Sequence, residues 1–396
     1  MKRKIAIAAV LMVCAPLLAI EGEIGPTNNH WGTGGNVASP VTVEGVVTVP
    51  VGQVLTIEAG TQIQGSFGIE VQGNIIVLGT KAGRVSFNQN VSLTGVQGAR
   101  FEFADFNAST LDCGTSGVTL KFCRFTGGLD QLTLNSCTFT VENSIFSGAE
   151  QSAFRITGGS GTVKNCDSYT TNASTVHFLL AGSTALTITN CILSEGTYGI
   201  FTTEAQSMVT VKYSILKALV QIYGQPNTVT TGAGVQSGVA PLFVNAAAGD
   251  FHLQGISPGV DAGDPADAFV NEPEGGGGRI DIGAYGNTDE ATKKVGVESP
   301  ALPSAALFSL AASPNPFTAR GNISFSLSRA GRVTLAVYGA DGTLAKVLAE
   351  GDFTPGFHSV SWDGTNARGF ALPSGPYFCR LNCGKNTLTQ RLNLLR

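Results

Sequence analysis

The sequence predicts an all-β chain, a stack of short parallel-strand coils followed by a small antiparallel sandwich. Three observations carry that prediction. Charged residues make up 13% of the chain, about half the usual ~25%. Glycine, at 51 of 396 residues, is nearly twice its norm of ~7%, and with Ser, Thr and Val it favours strands and turns over helices. A short motif also recurs every 21 to 25 residues through the middle of the chain. The 43% apolar content excludes a largely disordered chain. So few cations exclude a protein that binds nucleic acid by neutralising phosphates. The length fits two or three domains.

The N-terminus reads as an address. Lys2, Arg3 and Lys4 precede 14 apolar residues, 5–18, and small Ala19 then leads into Glu21 and Glu23. A basic start and an apolar run too short to span a bilayer predict a signal peptide over residues 1–19. Its three cations leave with it, taking the net charge from −4 to −7. No later stretch is long and apolar enough to cross a membrane, so the expected location is secreted or cell-surface.

Seven cysteines remain: Cys113, Cys123, Cys137, Cys166, Cys191, Cys379 and Cys383. Export permits disulfides, but the spacing has no disulfide framework and no zinc pattern. Cys379 and Cys383 share a predicted strand, which sets them ~13 Å apart and beyond bridging. All seven read as small core residues.

The repeat sets the first domain. Leu120-Lys-Phe-Cys-Arg-Phe125, Val141-Glu-Asn-Ser-Ile-Phe146, Val163-Lys-Asn-Cys-Asp-Ser168, Ile188-Thr-Asn-Cys-Ile-Leu193 and Val211-Lys-Tyr-Ser-Ile-Leu216 align with steps of 21, 22, 25 and 23 residues. A fixed period of this size marks a solenoid, in which each unit buries its apolar face only by stacking on its neighbours. The expected register puts the apolar ends inward and the Lys, Glu or Thr outward. Asn143, Asn165 and Asn190 form a bend, because Asn tolerates the left-handed conformation. Cys123, Ser144, Cys166, Cys191 and Ser214 then stack as a column of small inward side chains. Residues 132–139 lie too close to Ser144 for a coil of their own and belong on another face of the same coil.

Parallel strands in coils of this length describe a right-handed parallel β-helix. Residues 46–61 (Val-Val-Thr-Val-Pro-Val-Gly-Gln and onward) and 69–80 resemble the opening coils of exported pectate-lyase-like β-helix proteins. Asp250-Phe-His-Leu-Gln-Gly-Ile-Ser-Pro-Gly-Val-Asp-Ala-Gly-Asp-Pro265, with Arg279-Ile-Asp-Ile-Gly-Ala-Tyr-Gly286, looks like the final coil of the same group. The β-helix with its cap and closing coil is therefore expected over 20–290, and a linker rich in Pro and small residues over 291–312. Beyond it, alternating segments at 323–327, 333–338, 344–348, 358–362, 377–382 and 388–394, separated by turns, predict an Ig-like antiparallel sandwich over 313–396. Ser361-Trp-Asp-Gly-Thr-Asn-Ala-Arg-Gly-Phe-Ala-Leu-Pro-Ser-Gly-Pro-Tyr-Phe-Cys-Arg-Leu381 resembles both the Ig-like module of flagellar hook-cap proteins and the C-terminal sorting domain of type IX secretion. Ser313-Pro-Asn-Pro-Phe317 and the basic end favour the sorting domain, although Pro376 replaces the β-branched residue usual there. That resemblance implies contact with secretion machinery through 313–396.

The candidates for chemistry are sparse. In β-helix lyases, outer acids hold calcium and a Lys or Arg removes a sugar proton. The expected outward column here is Lys121, Glu142, Lys164, Thr189 and Lys212, with Asp167, Arg124 and Arg155 nearby. Lys164, Asp167 and Glu142 are the catalytic candidates. Their plain alternative is a surface ion-pair ladder worth under ~1 kcal/mol per pair. The coils show no cluster of acids for a lyase and no Asp pair for a hydrolase. Asp261, Asp264 and Asp267 are metal candidates, with Ca2+ as the cation, against a reading as turn residues that cap backbone amides. The four histidines are too scattered to form a site. Of the coil aromatics Tyr169, Tyr198, Phe201, Tyr213 and Tyr223, alternation buries Phe201 and leaves Tyr198 and Tyr213 outward, as candidates for stacking on sugar rings. The sequence thus reads as an exported, non-catalytic β-helix that presents a face to polysaccharide or a partner. A polysaccharide lyase or glycoside hydrolase on the same face, and a structural adhesin or spacer, are the alternatives.

Overall fold

The computed structural model describes residues 19–274, 278–293, 309–313, 315, 317, 321–327, 331–353, 356–384 and 386–395. The chain divides into two compact units, with the boundary between Val295 and Gly296. Nearly all of the expected signal peptide lies outside the described residues.

The first unit is a parallel β-solenoid of about ten turns. Each coil visits three faces in turn. Face A carries Val85–Phe87, Ala104–Asn107, Arg124–Thr126, Ile145–Ser147, Asp167–Thr170, Ile192–Glu195 and Ile215–Lys217. Face B carries Val91–Thr94, Leu111–Gly114 and, after three longer strands, Tyr198–Thr202 and Val220–Gly224. Face C carries Gln97–Glu102, Gly117–Lys121, Met208–Lys212 and Val229–Thr231. The longer strands Asp130–Glu142, Ser152–Lys164 and Val176–Thr189 run through the B–C corner without a break, bending at Ser136, Gly158 and Gly182 with φ of 54°, 76° and 66°. Residues 132–135 and 138–142 therefore occupy two faces of one coil, as their spacing predicts.

The interior is filled as the period-two pattern requires. Cys123, Ser144, Cys166, Cys191 and Ser214 are buried in one column. The hydroxyls of Ser144 and Ser214 accept the amides of Cys123 and Cys191 at 3.1 and 3.0 Å. Phe87, Phe106, Phe125 and Phe146 stack along face A with centroid spacings of 4.9, 4.5 and 4.7 Å, close to the ~4.8 Å separation of paired strands. The ladder passes to Phe154 and Phe178 on face B. At the C–A corner, Phe103, Phe122, Asn143, Asn165, Asn190 and Tyr213 all adopt positive φ, between 43° and 55°. The bend is a property of the coil, and after glycine Asn is the residue that accepts it with least strain.

Residues 250–286 correct the expectation of a final coil. Phe243–Asn245 and Asp250–Leu253 pair as an antiparallel hairpin and make no parallel rung with the coils. The segment folds back over face A instead. The reason is visible in the outward column of that face, where Arg124 is followed by Ile145, Asp167, Ile192 and Ile215 in register. Three apolar side chains facing outward need a cover. Leu253, Val260 and Ile282 cluster on Ile192 and Ile215, while Phe251 and Ala284 cluster on Ile145. The unit continues past residue 290, since Ala291 is buried and the Thr292 amide donates to Asp281 at 2.9 Å.

The second unit has seven described strands in two antiparallel sheets. One holds Ser309–Ser313, Gly321–Leu327 and Gly356–Trp362, and the other Gly331–Gly339, Leu344–Phe353, Gly375–Cys383 and Asn386–Leu394. Six match the sequence pattern. All but the last residue of the strand Ser309–Ser313 lies in the stretch expected as linker, because its Ser-Leu-Ala-Ala-Ser composition alternates too weakly to announce itself. The core includes Phe325, Val333, Leu335, Val337, Trp362, Cys379 and Leu381. No described helix is long and apolar enough to cross a membrane.

Candidate binding surfaces of the solenoid

The outward column of face C has the expected register, Lys121 to Glu142, Lys164, Thr189 and Lys212. Lys121 and Glu142 pair at 2.8 Å. Lys164 turns instead to Asp267 of the closing segment, at 2.6 Å. Asp167 is not on this face at all. It lies in the outward column of face A, 1% exposed, beneath the closing segment, where an added Cβ on Gly283 would sit 2.7 Å from its Oδ1. The three catalytic candidates are therefore not assembled into one site.

The closing-segment acids are tied into structure. Asp267 takes Lys164 on one oxygen and the Asn190 carboxamide on the other, at 2.6 and 2.8 Å. Asp264 accepts the Ala266 amide across a two-residue turn. The Asp261 amide donates to Asp281 at 2.8 Å. Among the described residues, no group of three or more His, Cys, Asp or Glu side chains is arranged to hold a metal. Asn143 and Asn165 complete the seam, with Asn143 donating to the Ala284 and Gly286 carbonyls at 3.0 and 2.8 Å and Asn165 to Gly286 at 3.3 Å.

The outer face B is where aromatics gather. Tyr198, Phe201 and Tyr223 form a triangle with centroid separations of 5.1 to 5.3 Å. Phe201 is half-exposed rather than buried, because it pairs with outward Leu179 and Tyr223 while its neighbour Ile200 takes the interior. Tyr223 is 53% exposed. Tyr213 is elsewhere, at the C–A corner, with the Arg279 guanidinium 5.7 Å from its ring centroid. Of the two sugar-stacking candidates, only Tyr198, itself half-buried, belongs to the outward cluster.

A cleft of about 560 Å3 opens at the C–A corner, between the earlier coils and residues 284–290. Its aromatic wall is Phe103 and Phe122, stacked at 4.6 Å and 13°. Arg84 lies 5.6 Å from the Phe103 centroid and is held by the Asp105 carboxylate and the Phe122 carbonyl, each at 2.6 Å. On the opposite rim, Lys81 bridges Asp289 and Glu290 at 2.9 and 3.3 Å.

Family comparison agrees with this geometry. Residues 88–233 match the family described as the right handed beta helix region, and residues 314–383 match the FlgD Ig-like domain. The coils are a right-handed β-helix. No curated protein matches the chain. Among solved structures, one resembling part of it is described as PorZ, an essential bacterial surface component of the type-IX secretion system of human oral-microbiomic Porphyromonas gingivalis. The likeness is 16% identity over 28% of this chain and 15% of that one, with a TM-score of 0.19.

One pair of residues in the β-helix escapes sequence reasoning. Phe103 and Phe122 occupy the bend position where the next three coils carry Asn, and that exchange is their only signal. His177 is fully buried, with Nδ1 2.6 Å from Ser168 Oγ and Nε2 2.8 Å from the Glu195 carbonyl oxygen. Burial lowers its pKa to about 4, so it is neutral and structural.

Proposed function

We propose that this is an exported, cell-surface β-helix protein that binds polysaccharide without turning it over, its C-terminal Ig-like module serving as a sorting or anchoring element. The observation that carries the reading is the outward triangle of half-buried Tyr198 and Phe201 and exposed Tyr223. Adjacent rings at this spacing offer a platform on which pyranose faces stack, and parallel coils repeat at a pitch suited to an extended polymer. Binding is favoured over lyase or hydrolase chemistry by the engagement of the coil charges. Glu142 is paired with Lys121 and Lys164 with Asp267, so neither is poised as a free base or acid. The match to the FlgD Ig-like domain supports a separate module for attachment.

A panel of neutral and acidic polysaccharides, tested with and without calcium, checks the reading on the purified mature protein. Retention without product is expected, and Tyr223→Ala is expected to weaken it about tenfold, the equivalent of ~1.4 kcal/mol. Release of unsaturated or reducing ends from any polymer would overturn it.

A further inference from the structure

We propose that the cleft at the C–A corner is a second ligand site, one that takes a small aromatic carboxylic acid. The rings of Phe103 and Phe122 begin a stack that stops short. Arg84 covers Phe103, Phe103 covers Phe122, and among the described residues no ring or guanidinium covers the other face of Phe122. One coil further along, the register brings Asn143 to the next rung, but its side chain is drawn to the Ala284 and Gly286 carbonyls. The rung beyond Phe122 is left to the cleft, whose walls include Ile145 and Tyr285. A flat ring in that rung would continue the stack at the separation the pair already shows, 4.6 Å, a favourable offset-stacking distance.

The bend residues mark the same place. Phe122 and Phe103 hold φ of 55° and 48°, the bend that each coil makes at this corner, here carried by bulky residues that accept it less readily than Asn. Asn143, Asn165 and Asn190 turn three successive bends and bond to the closing segment, whereas Phe103 and Phe122 turn the two bends before them and Tyr213 the one after.

Charge sets the ligand class. Arg124, two residues after Phe122, lines the cleft, is exposed, and has no ion pair or hydrogen bond from its guanidinium among the described residues. The other cations of the cleft are occupied, Arg84 by Asp105 and Lys81 by Asp289 and Glu290. One free guanidinium beside an open ring face suits one carboxylate on one aromatic ring, since Arg receives a carboxylate with two parallel hydrogen bonds. A cleft of this size also lies in the range of small-ligand pockets.

The site is independent of the face B triangle, so its test stands apart from the polysaccharide panel. Titration calorimetry of the full mature chain would use benzoate and cinnamate as probes, with benzyl alcohol and glucuronate as controls. Saturable binding of an aromatic acid is expected. It should weaken at least about tenfold when the carboxylate is absent or when Arg124→Gln removes its partner. Phe122→Asn should abolish binding in a protein that stays folded by circular dichroism, because Asn accepts the bend. Absence of binding by either aromatic acid, equal binding of glucuronate, or unchanged binding in Arg124→Gln would each overturn the proposal.

Discussion

Asp167 shows how far a side chain's role departs from its appearance in the sequence. Neither carboxylate oxygen has a hydrogen-bond partner, and burial raises its pKa well above the ordinary carboxylate range. Asp281 is raised to about 7, chiefly by burial. Both groups favour the protonated form in the folded state, whereas in the unfolded chain they ionise near pH ~4. Above that pH the unfolded state sheds these protons first, so stability falls as pH rises, through about 7 for Asp281. Thermal melts should therefore show a more stable first unit at pH 5 than at pH 8. Asp167→Asn should raise the melting temperature at pH 8 and flatten the slope. An unchanged slope would mean that Asp167 is ionised in the fold. None of this is legible locally. Lys164 and Asp167 are three residues apart and look like neighbours, yet the corner at Asn165 sends them to different faces.

At the scale of the element, the closing segment is a clasp rather than a cap. It is held by apolar contacts with Ile145, Ile192 and Ile215 and by the Asn seam. Gly283 sits where the clasp presses closest. Its φ is 107°, and an added Cβ would meet Asp167 Oδ1 at 2.7 Å and Ile192 Cδ1 at 3.0 Å. Gly283→Ala should loosen residues 250–293 selectively. Hydrogen exchange should rise there while the amides of the coil strands stay protected, and a uniform rise along the coils would refute a clasp that opens on its own. The coils themselves could be read in advance, since Cys123, Ser144, Cys166, Cys191 and Ser214 fall at a near-constant period. The clasp could be recognised as a motif but not placed, because its turns carry no alternation that specifies a partner.

At the scale of the molecule, the two units have separate hydrophobic cores. Calorimetry should resolve two transitions. Leu335→Ala, which empties a fully buried site in the sandwich, should cost about 2–5 kcal/mol and lower one transition while leaving the other in place. A shift of both would show that the units unfold together. The candidate surfaces belong to the first unit alone. Tyr198 and Tyr223 become neighbours because a whole coil separates them in sequence, and that much follows from the repeat. Lys81 and Asp289 meet across 208 residues, which no repeat foretells. The sequence by itself determined the β-helix, its inward column, its bends and six strands of the sandwich, since period and alternation are local consequences of backbone geometry. Only the tertiary structure decided that face A is covered, that Asp167 is buried, that Phe201 faces outward and that a cleft opens beside Phe122. Those outcomes depend on where a long, weakly patterned segment finds apolar surface to bury, and that surface exists only after the coils have stacked.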